Sequence, residues 1–391
     1  MSSPSSPDSS QSHPKTCFCP NADLSLPIYD ITSLCLLPAE LRNLVFNFLT
    51  ADTCPTHTIA LARLSKHHYA TLIPRLYRRL VVTDEALDQG LFEGLLAGFD
   101  EDEWEGGEER LLSKRDLLGT CESLNFASIY AMDATGDACR KAFERKQAQS
   151  DVLCNGLRGL FDGVTHLGYE AECIVEYCQL EDNDRLPMDE GASRYGIRSS
   201  KAQHPALYNL SHVCFRLPYP LHSALSDDIS DFYEIFPAFG SHARKSFVTR
   251  FHNCQSDRPM TGVEWTVRTG HTMIVDMLPT EIEEGGKVEV EVLSHNMVEC
   301  CRRIICSARF DRRYGPPEII FTNLGTTLSP DGTVRHLSPD VKQTVLDETQ
   351  TVVRQRVREI LSEDGLSEFA VVADKIYVRG YEACKMCPEV A

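Results

Sequence analysis

The side chains best suited to chemistry in this sequence are closely spaced cysteines. Cys17-x-Cys19 and Cys384-x-x-Cys387 together offer four thiolates, the donor set of a tetrahedral zinc site. The first pair sits in a Ser/Pro-rich stretch, and neither pair has a histidine pair at finger spacing. Free thiols are therefore the expectation, and no metal or cofactor is assigned. Cys300-Cys301 with Cys306 lies beside Arg302 and Arg303, cations able to lower a thiol pKa. The surrounding pattern is that of an amphipathic core segment, and no redox role is assigned. Phosphate-binding loops, dinucleotide-binding glycine turns, zincin motifs and nucleophile elbows are absent from the sequence. No catalytic residue is assigned, and the expected class is an interaction protein rather than an enzyme.

Composition narrows the partners. Hydrophobic residues make up 42% of the 391 positions and charged residues 25%, enough apolar material for a large core. The 16 cysteines read mostly as buried thiols of a reducing compartment. A formal net charge of −18 argues against a nucleic-acid partner, because phosphate binding requires a cationic face. No apolar run has the length of a membrane helix. The opening MSSPSSPDSSQSHPKT has neither a signal-peptide apolar region nor transit-peptide character. Cytoplasm, nucleus or both are the expected locations.

Residues 1–30 are Ser- and Pro-rich and read as a disordered tail. Residues 99–110 are acidic with paired glycines, and read as a loop or linker. Residues 111–391 alternate apolar strand candidates with helical patterns, which predicts an α/β region. The predicted strands are Ser123–Ala131, Val164–Glu170, Leu210–Leu217, Ser246–His252, Lys287–Leu293, Glu318–Asn323 and Phe369–Val378. Predicted helices run from Asp340 to Ser362 and from about Asp137 to Phe161. No sharp repeat consensus is visible.

The segment 36–82 has a different texture. Leu37, Leu41, Leu44, Val45, Phe48 and Leu49 recur at helical spacing, with Pro38 suited to a first helical position. A second helix is predicted from Thr58 to Leu64. Ser65 is a candidate N-cap for a third, broken at Pro74 and followed by a strand from Leu80 to Thr83. Leu37-Pro38-x-Glu40-Leu41, Val45-Phe46-x-Phe48-Leu49, Leu61-x-x-Leu64-Ser65-Lys66-x-x-Tyr69 and Pro74-x-Leu76-Tyr77-Arg78 together resemble the F-box of F-box-like proteins of the fungal type. In these, a three-helix module precedes a divergent, leucine-rich-repeat-like α/β region. The connection Thr50–Thr58, with Cys54-Pro55, is longer than the family's.

The resemblance implies docking on the Skp-type adaptor of a cullin–RING ubiquitin ligase. Leu37, Pro38, Leu41, Val45, Phe46, Leu64 and Ser65 would face the adaptor, and the downstream region would bind a protein substrate. Two alternatives stay open: a scaffold outside any ligase, and a thiol- or metal-dependent enzyme.

Overall fold

The computed structural model describes residues 38, 40–41, 44, 58–59, 62–63, 66–95, 112–149, 160–179, 210–217, 248–254, 272–277, 280–281, 290–307, 317–324, 326–328, 334–336, 339–380 and 384. Two compact units divide the chain, Met1–Leu76 and Tyr77–Ala391. In the first, Glu40, Leu41, Leu44, Thr58, Ile59 and Ala62 are helical. Helix α1, Lys66–Tyr77, carries Pro74 inside it, so the break expected at that residue is not observed. A proline so near the helix end forfeits one hydrogen bond while the rest of the last turn is kept. Leu72 is buried on this helix.

The second unit is built on β1 (Arg79–Val82), β2 (Ser123–Phe126), β3 (His166–Tyr169), β4 (His212–Arg216), β5 (Val248–Cys254), β6 (Thr272–Met277), β8 (Glu318–Thr322) and β11 (Ile376–Val378). These eight strands form one sheet in that order, and every neighbouring pair is parallel. The short strands β7 (Thr280–Glu281), β9 (Thr326–Leu328) and β10 (Val334–His336) make a separate three-stranded sheet. Strand order in the large sheet never reverses, so it has no switch point of the doubly wound kind. Right-handed crossovers that always step the same way place their connections on the same face.

The core agrees with that rule. One ladder along the sheet is Leu124, Leu167, Val213, Thr249, Met273, Ile319 and Ile376. Two residues on, Val82, Phe126, Tyr169, Phe215, Phe251, Val275, Phe321 and Val378 form a second. Apart from Thr249, which is also buried, both ladders belong to a single hydrophobic core. Phe126, Tyr169, Phe215 and Phe251 stack across four strands with centroids 5.7, 5.5 and 5.2 Å apart. Helices α4 (Ile129–Gln149), α5 (Ala171–Gln179), α6 (Val290–Ser307) and α7 (Pro339–Glu363) feed the same core through Met132, Ile174, Cys301 and Val353. Among the described residues there are also two short helices, α2 (Asp84–Asp88) and α3 (Lys114–Gly119), and a 3₁₀ segment over Ser367–Lys375.

Helix α7 also finishes the sheet edge. Gln350 Oε1 accepts from Val378 N at 3.0 Å, and Arg354 Nε donates to Ile376 O at 2.9 Å. Backbone groups of β11 that would otherwise lack a strand neighbour are thus satisfied by side chains.

Several expectations need correction. The strand expected over Ser123–Ala131 ends at Phe126, because Ser128 caps α4: its Oγ accepts from Ala131 N at 3.0 Å, and Glu176 accepts from Ile129 N at 2.8 Å. Helix α4 therefore begins before Asp137 and ends at Gln149, while Leu160 and Phe161 are buried in a separate turn. The strand expected at Lys287–Leu293 is helical from Val290. There the alternating Val290, Val292 pattern yields to Met297, Val298, Cys301 and Ile305, whose helical spacing fills the core. Most of the strand expected at Phe369–Val378 is 3₁₀, leaving Ile376–Val378 extended. Strand Thr272–Met277 is an element the sequence pattern does not announce. Among the described residues, no helix is long and apolar enough to cross a membrane.

Candidate functional site

The sheet face opposite the core is polar. Its central ladder runs Val81, Asn125, Gly168, Cys214, Arg250, Ile274, Ile320 and Tyr377. Period-two alternation puts Arg216, His252, Asp276 and Thr322 on this same face, at the C-terminal ends of their strands. In parallel sheets those ends are where ligands usually meet the protein.

Asp276 organises the centre. Arg250 donates Nε to its Oδ2 at 2.7 Å and Nη2 to its Oδ1 at 2.9 Å. His252 Nδ1 lies 2.6 Å from Oδ2, and the Thr322 hydroxyl donates to Oδ1. Arg250, His252 and Asp276 are 8%, 9% and 4% exposed, so the group is buried although it is built of charge. Burial opposes ionisation of the Asp276 carboxyl, but contacts to His252, Arg250 and Thr322 outweigh it and hold the group below the usual carboxylate range. Burial likewise opposes the Arg250 charge, and its partner Asp276 raises the guanidinium regardless. Arg216 pairs with Glu170 at 2.5 Å on the same face.

Cys214 lies beside this cluster, and Cys384, from the segment after β11, reaches it: the two sulfurs are 3.9 Å apart. Toward the strand starts, His166 and His212 stack with centroids 4.2 Å apart. Each ring is set by the residue before it, Thr165 Oγ1 at 2.7 Å from His166 Nδ1 and Ser211 Oγ at 2.8 Å from His212 Nδ1. Gly168 leaves room for Asn125 in the central ladder, since a Cβ there would lie 1.7 Å from Asn125 Oδ1 and force that side chain to shift.

Of the residues expected to face an adaptor, Pro38 and Leu41 are described and exposed, Leu41 at 49%; Leu44 nearby is 67% exposed. Leu37, Val45, Phe46, Leu64 and Ser65 lie outside the described residues, as do Cys17, Cys19 and Cys387. Cys384 is placed with Cys214 and His252, neither of which the cysteine spacing singles out. The signal available in sequence is weaker: Cys214-x-Arg216 and Arg250-x-His252 alternate with the apolar Val213, Phe215 and Phe251.

The other described thiols belong to the core or pack against it. Burial pushes Cys121 and Cys139 up to about 12, and raises Cys173 and Cys301 as well. Arg302 turns its Nε to Asp364 at 3.1 Å. No family model, curated protein or solved structure matches the chain.

Proposed function

We propose that this protein is the substrate-recognition subunit of a cullin–RING ubiquitin ligase, working in the cytoplasm, the nucleus or both. Residues 36–82 would serve as the F-box-like module, holding the Skp-type adaptor through Leu37, Pro38, Leu41, Val45, Phe46, Leu64 and Ser65. The α/β body would be leucine-rich-repeat-like and would hold a target protein.

The observation that carries this reading is the strictly sequential order of eight parallel strands. Such an order leaves one face for the connections and turns the other into a continuous ladder of side chains. The partly exposed polar residues of that face, His166, Glu170, His212 and Arg216, would meet the target protein, while Asn125, Cys214 and Arg250 within the ladder are buried. The exposed Leu41 and Leu44 in the first unit are consistent with a helical segment awaiting an apolar partner. The receptor itself would perform no covalent step; it would raise the local concentration of substrate lysines at the charged conjugating enzyme.

The test is affinity purification of the full chain beside a Leu37→Ala, Pro38→Ala double variant. Adaptor and cullin should co-purify with the parent and be lost from the variant, while proteins held by the body remain. Adaptor binding that is absent from the parent, or unchanged in the variant, would favour a scaffold outside any ligase.

A further inference from the structure

We propose that Cys214, His252 and Cys384 bind a zinc ion that fastens the segment after β11 onto the polar face of the sheet. The proposal is independent of the ligase reading. Their ligand atoms all lie within 4.8 Å of one another, the one such group among the described residues.

The geometry suits zinc. Two Zn–S bonds of ~2.3 Å at the tetrahedral angle separate their sulfurs by about 3.8 Å. Cys214 and Cys384 stand at 3.9 Å, and neither is in a disulfide. His252 is the diagonal neighbour of Cys214 on the next strand, because Cys214 pairs with Arg250 and Arg216 with His252. The Asp276 carboxylate lies on His252 Nδ1. It therefore selects the tautomer protonated there, with the lone pair on Nε2 for a metal. Carboxylate–histidine–zinc is the usual arrangement behind a zinc-bound imidazole. Two thiolates and one imidazole are a borderline-soft set that prefers zinc to calcium or magnesium. Binding releases the two thiol protons and leaves a fourth coordination position for water or another donor.

The site would tie residues 170 positions apart in sequence, so bound metal should stabilise the body. The full-length protein, kept reduced, is expected to hold about one equivalent of zinc after dialysis, by elemental analysis. Cobalt in its place should give a thiolate-to-cobalt charge-transfer band and the strong visible bands of a tetrahedral ion. Cys384→Ser, on a segment beyond the last strand, should leave the metal-free melting temperature unchanged. It should nonetheless weaken the charge-transfer band and abolish the rise in melting temperature that zinc gives the parent. Asp276→Asn should keep a tetrahedral spectrum but weaken zinc about ten- to hundredfold. A parent that retains no zinc would overturn the proposal. So would a Cys384→Ser variant that binds as the parent does, or a Cys214–Cys384 disulfide in protein purified without reductant.

Discussion

Arg250 and Asp276 meet fork to fork across two adjacent strands, at 2.7 and 2.9 Å, on a face where neither is more than 8% exposed. The same carboxylate also takes His252 and Thr322, so the two partners are unequal. Removing Asp276 takes the carboxylate from a buried guanidinium and from two further polar groups. Removing Arg250 leaves the carboxylate two contacts. Asp276→Ala should therefore cost about 3–5 kcal/mol in urea denaturation of chelator-treated protein, and Arg250→Met distinctly less. Equal losses would mean that the ion pair alone matters.

Gly168 and Asn125 are coupled. Gly168→Ala forces Asn125 off its position and should destabilise the body by about 1–3 kcal/mol. Combined with Asn125→Ala, the same change should cost far less than the sum of the two singles. An additive double variant would show that the clash is relieved elsewhere.

Helix α7 offers a graded test. Val353 is fully buried in the core, whereas Val345 is only half-buried. Val353→Asp would bury an unpaired ion and should unfold the body; Val345→Asp should be tolerated with a smaller loss. Circular dichroism melting curves distinguish them, and a stable Val353→Asp protein would refute the packing described.

Acid should weaken the fold through His166. Burial first, and then the neighbouring His212, push its pKa down to about 4 from an ordinary 6.5. Between those values the unfolded chain binds a proton that the folded chain does not. Stability should thus be full above about pH 6.5, decline toward pH 4, and lose nothing further from this group below that. His166→Phe keeps an aromatic ring against His212 but cannot titrate, so its denaturation midpoint should fall less steeply across the same window.

Much of the sheet is readable before folding. Seven strands, β1, β2, β3, β4, β5, β8 and β11, lie inside the segments expected from apolar runs or within two residues of them, and in five of these Phe126, Tyr169, Phe215, Phe251 and Phe321 mark the same ladder position. Helix α7 is read within a residue at each end, since its apolar face repeats over many turns. Where capping or tertiary packing decides, as at Ser128 and Val290, local alternation misleads. The site was hidden for another reason. Asp276 falls in a strand whose neighbours look apolar, and Cys384 reaches its partners only through chain topology. Pairing Cys384 with Cys387 by spacing overlooked residues far away in sequence.

The sequential strand order has a consequence for how such a protein can change. Each strand meets only its predecessor and successor, so the length of a connection does not decide which side chains line the polar face. Strands start at Val248 and Thr272 in one step but at Glu318 and Ile376 in another, yet the register is unbroken from β6 through β8 to β11. Insertions and deletions between strands can therefore accumulate without rewriting the face, whereas a one-residue slip within a strand would turn its whole polar row into the core. Connector length and surface chemistry are free to diverge separately.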